Sequence, residues 1–311
     1  MRDGVSLAVD VYLPRDLPAS ERVPALLTVT RYGRDLEGRW PFRRLVRHRF
    51  ESTIRAVVNQ GYAWVYVDAR GSAASFGERP YPYAPAEVDD GVEILDWITA
   101  QPWSSGGVGL WGSSYTAGSA MMLAARGHPA VKAVMARFVM FDAFPEVVFP
   151  GGLHLQWLTD TWGALARAID QNRLPDVAGA KAALAVKGIR PVTDDPKGVL
   201  LAQAVAGHAA NGNIADLARG IVFRDDASAA MPGVTVDAIS PHRVSADVNR
   251  AKVPVYLVTG WLDAAFLRAM ADDARTAPAH RLCAQFLAQT RTADDPVVGG
   301  HLLLAGDYSA C

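Results

Sequence analysis

Five short apolar runs punctuate the chain: PALLTVTRY (24–32), YAWVYVDAR (62–70), GGVGLWGSS (106–114), VKAVMARF (131–138) and VPVYLVTGW (253–261). Each is rich in Val, Leu and aromatic residues and ends in polar or turn residues, as buried parallel strands do. Between them the period changes to that of a helix. In AEVDDGVEILDWITAQ (86–101), Val88, Val92, Leu95 and Ile98 share one face and acids crowd the first turn. TAGSAMMLAARGH (116–128) is small and apolar, as suits a helix lying close on a sheet. Alternating strands and helices predict an α/β fold with a mostly parallel central sheet flanked by helices. Residues 1–14, MRDGVSLAVDVYLP, alternate like a further strand.

The alternation breaks after Phe144. Residues 145–240 carry few strand-like runs and many Ala, Leu and Trp residues, as in LQWLTDTWGALARAI (155–169) and VAGAKAALAVKG (177–188). This stretch is expected to be a helical cap inserted into a sheet domain made of residues 1–144 and 241–311. Within 43–55, RRLVRHRFESTIR, the residues Leu45, Phe50 and Ile54 recur at helical spacing, which predicts a basic, solvated helix.

Ser114 stands where the apolar run VGLW meets the small-residue helix. A nucleophile elbow needs this order: the strand delivers the serine to a sharp turn, Gly112 permits close backbone approach, and the helix N-terminus favours negative charge. The following residue, Tyr115, offers its backbone N–H to an oxyanion. A lone G-x-S is common, but strand–G-x-S-Y–helix at the centre of a β/α alternation is not. The expected fold is therefore the α/β-hydrolase sheet, with Ser114 as nucleophile.

The motifs MRDGVSLAVDVYLP, VDARGSAASFG, DWITAQPW, GGVGLWGSSY, SPHR and VPVYLVTGWLDA occur in an order that resembles the X-Pro dipeptidyl-peptidase (S15) and cocaine-esterase-like (CocE/NonD) hydrolases. The likeness covers roughly residues 1–155 and 238–282. The family pattern G-x-S-Y-x-G has glycine where this chain has Ala117, with Gly118 next. The resemblance implies that the Tyr32 hydroxyl is the second oxyanion donor and that Asp263, in GWLDAA, is the triad acid. It implies acyl transfer through an acyl-enzyme on an ester, amide or X-Pro peptide bond, without metal or organic cofactor.

The base is less plainly placed. The family's Gly-Pro-Trp-x-His should fall roughly 25–30 residues after the acid, a spacing the resemblance implies and the fold does not dictate. Gln289, Thr290 and Arg291 stand there instead. His301, in VVGGH, takes the role if the loop runs longer, and His280 lies at the start of a strand. His48, His128, His154, His208 and His242 all precede Asp263, whereas an α/β-hydrolase orders its triad Ser, Asp, His. Residues 283–311 depart from the family character, and its C-terminal β jelly-roll is expected to be absent. Two readings follow: a working serine hydrolase with His301 as base, or a truncated or frame-altered relative with impaired catalysis. A third, a dienelactone-hydrolase-like enzyme with a cysteine nucleophile, requires Cys283 or Cys311 in an elbow, and neither follows such a strand.

Bulk properties narrow the partners. Half the residues are hydrophobic, a fifth are charged, and 31 basic against 32 acidic residues leave a net charge of −1. No block of like charge points to nucleic acid or an anionic membrane. No apolar run approaches the ~20 residues of a membrane span, and no signal peptide opens the chain, so a cytoplasmic location is expected. Two cysteines make neither a disulfide framework nor a metal set. The expected partner is a small ester, amide or peptide. Asp142, Glu146 and Asp160, near the cap, could hold a substrate ammonium, but a surface or capping role is the expected one for each.

Overall fold

The computed structural model describes residues 1–44, 46, 50–177 and 179–260 and the backbone of 282–287. Its elements run β1 (Val9–Tyr12), β2 (Val23–Thr30), β3 (Leu36–Gly38), α1 (Glu51–Val58), β4 (Ala63–Asp68), α2 (Pro85–Thr99), β5 (Ser104–Ser113), α3 (Tyr115–Ala124) and β6 (Val131–Arg137). After a run of short helical turns come α4 (Gln156–Asp170), α5 (Ala180–Ala185), β7 (Val186–Ile189), α6 (Val199–Gly207), α7 (Ile214–Ala218), α8 (Ser245–Ala251), β8 (Val255–Gly260) and β9 (Leu282–Leu287).

Seven strands form one sheet in the order β1-β4-β2-β5-β6-β8-β9. Only β1 is antiparallel, pairing Val9–Tyr12 with Trp64–Val67 of β4. The other five pairings are parallel. Every residue of β4 is buried, which explains why its sequence reads as a continuous apolar run rather than an alternation: helices cover both faces. The main core gathers Leu27, Val65, Leu110 and Val134 of the sheet with Leu95 of α2 and Met121 of α3. The predicted strands and both flanking helices thus form within a few residues of their expected ends, in an α/β-hydrolase arrangement. Among the described residues no helix is long and apolar enough to cross a membrane.

Three local expectations change. The basic helix is shorter than its periodicity suggests: α1 starts at Glu51, and Phe42–Arg44 form only a 3₁₀ turn. Phe50 and Ile54 are buried, so the helix is not solvated all round. Arg43, in the 3₁₀ turn, precedes the helix N-terminus, an end that favours Glu51 and repels positive charge. At the amino terminus only Val9–Tyr12 extend, because Met1–Gly4 close a turn with Gly4 at φ 83°. Within 177–188 the helical pattern ends at Ala185. Val186–Ile189 pair antiparallel with β3, and the Ile189 amide donates to Asn172 Oδ1 at 2.7 Å.

Candidate active site

The sharp turn at Ser114 follows from its neighbours. Gly112 has no room for a side chain, since a Cβ there would overlap the Thr116 carbonyl and the Ala117 amide. Ser114 itself sits at φ 59°, ψ −120°, in the half of the map that residues with a Cβ avoid. Such strain costs on the order of 1–3 kcal/mol and persists only where surrounding bonds over-determine it. Here they do. The Ser114 amide donates to the Arg137 carbonyl at 2.8 Å, and its carbonyl accepts from Ala117 and Gly118 at 3.0 and 3.2 Å. The Ser113 amide donates to Thr116 Oγ1 at 2.6 Å, and that hydroxyl donates back to the Ser113 carbonyl. Ser114 is exposed while Ser113, Tyr115 and Thr116 on either side are buried.

Tyr115 opens α3, so its amide belongs to the first turn, whose N–H groups have no intrahelical acceptor. Tyr32 lies two residues beyond the end of β2, the strand next to β5. Because β2 and β5 are parallel, both deliver their ends to the same edge of the sheet. Tyr32 meets Tyr115 edge-on with ring centroids 5.7 Å apart, and the Arg31 guanidinium lies 5.5 Å from the Tyr32 centroid. Ser114, Tyr115 and Tyr32 are thereby brought together. Asp263, His301 and His280 lie outside the described residues, as do His48 and Cys311.

Behind this edge lies a charged cluster that the sequence pattern did not reveal. Glu87 of α2 is only 3% exposed; its Oε1 accepts from the Tyr115 hydroxyl at 2.7 Å and its Oε2 from the Tyr83 amide at 3.2 Å. The Tyr83 hydroxyl donates to the Tyr115 carbonyl at 2.9 Å. Burial pushes the Glu87 carboxyl and both phenols above their ordinary ranges, while Arg79, the Tyr115 hydroxyl and Arg31 favour the Glu87 carboxylate. Asp170, at the end of α4, accepts from Arg31 at 3.0 Å, Arg79 at 2.9 Å and Asn211 at 3.0 Å. Burial and the neighbouring Arg79 charge pull Arg31 below its usual value. His208 completes the cluster, its ring nitrogens 2.9 and 2.7 Å from the carbonyls of Asp170 and Ser75.

A second cluster holds Asp142, Asp237 and His242, with ligand-type atoms within 4.8 Å of one another. The Arg224 guanidinium occupies it instead of a metal, donating to both oxygens of Asp142 and to Asp237, and lying 2.9 Å from His242 Nε2. Of the three acids near the cap, Asp142 is therefore already paired. Glu146 is buried and accepts from the amides of Phe141 and Asp142, and Asp160 takes a hydrogen bond from the Gln156 amide. These contacts fit the expected surface or capping roles. The remaining described histidines are engaged elsewhere, His128 with Asp96 and His154 with Thr159.

Residues 3–288 match the X-Pro dipeptidyl-peptidase (S15) family. A Mycobacterium bovis protein named "Putative serine esterase" is 40% identical over 293 residues, covering 86% of this chain and 47% of its own. The cocaine esterase of a Rhodococcus species is 35% identical over 153 residues, 49% of this chain and 25% of that one. The chain thus spans about half the length, or less, of the curated relatives it matches. Among solved structures, a CocE/NonD family hydrolase from Staphylococcus aureus superposes with a TM-score of 0.62 at 17% identity, over 92% of this chain and 44% of that one. An α-amino acid ester hydrolase gives 0.53 at 21% identity, over 93% and 47%. At these identities the two structures attest the fold.

Proposed function

Because the chain belongs to the X-Pro dipeptidyl-peptidase (S15) family, we propose that it is a serine hydrolase that opens ester or amide bonds by acyl transfer to Ser114. The observation that carries this reading is the elbow: one exposed serine, held at φ 59° by backbone bonds among buried neighbours, at the start of a helix. Ser114 Oγ attacks the carbonyl carbon while a histidine takes its proton. His301 is that base and Asp263 the acid that orients it. The Tyr115 amide and the Tyr32 hydroxyl hold the tetrahedral oxyanion. Collapse expels the alcohol or amine, protonated by the imidazolium, and water then releases the acid by the same route in reverse. Acyl esters, aminoacyl esters and X-Pro peptides are the substrate classes, with residues 145–240 as the cap over the sheet domain of 1–144 and 241–311.

Turnover of p-nitrophenyl acetate tests this reading. Ser114→Ala should abolish it, and His301→Ala should lower it by about 10³-fold or more. Turnover that survives Ser114→Ala would end the assignment. A second reading, an impaired relative, draws support from the family match ending at residue 288, ahead of His301. It predicts Ser114-dependent turnover that is weak and indifferent to His301→Ala.

A further inference from the structure

We propose that Glu87 is a positioning residue for the oxyanion hole, acting through Tyr115 on the amide donor and, through the Tyr115 ring, on Tyr32. It rests on the serine-hydrolase reading of Ser114. Three hydrogen bonds close a ring: the Tyr115 hydroxyl to Glu87 Oε1, the Tyr83 amide to Glu87 Oε2, and the Tyr83 hydroxyl to the Tyr115 carbonyl. Tyr115 is therefore held at both ends, by its phenol and by its own peptide carbonyl. Peptide planes are rigid, so the direction of the Tyr115 N–H depends on a few torsions around Ser114 and Tyr115. The ring fixes the Tyr115 side of that hinge, and the bonds of Ser114 to Arg137, Ala117 and Gly118 fix the other.

The packing is arranged for the same end. Tyr83 is held at φ 59°, again a left-handed value for a residue with a Cβ. Its ring stacks, tilted by 33°, at 4.5 Å from that of Tyr115. A Cβ at Gly118 would overlap the Tyr83 hydroxyl, so the phenol wedges directly against α3 and sets how that helix sits. Tyr115 also meets Tyr32 edge-on, so the second donor packs against a ring that Glu87 anchors. A carboxylate suits the post because each of its oxygens accepts one of the two donors. A glutamine of the same size accepts at one oxygen only.

The test is a double-mutant cycle on p-nitrophenyl acetate with Tyr115→Phe and Glu87→Gln. Tyr115→Phe keeps the ring and the amide and removes one hydroxyl, so it probes the anchor even if Glu87→Gln folds poorly. Each change should lower kcat by about 10- to 100-fold with KM within about twofold, the mark of misplaced transition-state contacts. The double variant should be no slower than the slower single, because both break one link. Hydrogen–deuterium exchange of the peptide 113–119 should accelerate in both variants, a readout that needs no turnover. Wild-type kcat, strictly additive losses, or unchanged exchange would each overturn the proposal. Failure of the hydrolase reading looks different: turnover would then survive Ser114→Ala.

Discussion

Two charged clusters tie the 145–240 segment to the sheet, and they do so on unlike terms. One joins Arg31 and Arg79 to Asp170, partners 139 and 91 residues apart, with side chains 1%, 3% and 8% exposed. The other joins Arg224 to Asp142 and Asp237, with side chains 38%, 17% and 35% exposed. In the first, two guanidiniums face one carboxylate, with the buried Glu87 carboxyl nearby; the Nε atoms of both arginines are buried without a partner. In the second, water still reaches the charges and screens them. Desolvation makes the buried set costly to assemble and costlier to break, because removing one member strands the others. The exposed set can lose a member and rehydrate. The buried cluster sits behind the sheet edge that carries Ser114 and Tyr32, with Arg31 next in sequence to Tyr32, so the less forgiving of the two clusters lies beside the candidate site.

Breaking that contrast should give effects of unequal size. Asp170→Ala, which leaves Arg31 and Arg79 facing one another, should destabilise by roughly 3–5 kcal/mol in urea unfolding. A loss under about 1 kcal/mol would show that water enters the cluster and would erase the distinction. A smaller effect is expected from pH. Burial holds the folded Glu87 carboxyl above its unfolded value, so its contribution is fully present below the unfolded value and is lost as pH rises through the folded one. Glu87→Gln lacks this loss. Its stability relative to wild type should therefore improve as pH is raised from 4 to 7, measured as paired unfolding curves; a constant difference would place the carboxyl in water. Smallest of all, Arg224→Ala should cost about 1 kcal/mol or less, with salt narrowing the gap to wild type. A cost matching that of Asp170→Ala would make the two clusters equivalent.

The elbow was legible in the sequence because its causes are local. Gly112, the strand before it and the small helix after it are adjacent in the chain, and together they leave Ser114 one place to stand. The strand runs were equally legible, since burial on both faces demands the continuous apolar stretches seen in β4. The short β7 was not, because Val186–Ile189 became a strand only when β3 offered an edge 150 residues earlier in the chain. Nor were Glu87 and Asp170. An acid in the first turn of a helix reads as a solvated partner of the helix dipole, and an aspartate at a helix end reads as a surface residue.

What the sequence determined by itself was the alternation of strands and helices in the main sheet, the turn at Ser114, and the family to which that turn belongs. These depend on periodicity and on neighbours within a few residues. Tertiary structure alone decided which charges lose their water. Whether Glu87 faces solvent or the Tyr115 hydroxyl depends on the meeting of α2 with α3, and Asp170 finds Arg31 across 139 residues. Burial is a property of what arrives from elsewhere in the chain, and no local pattern encodes it.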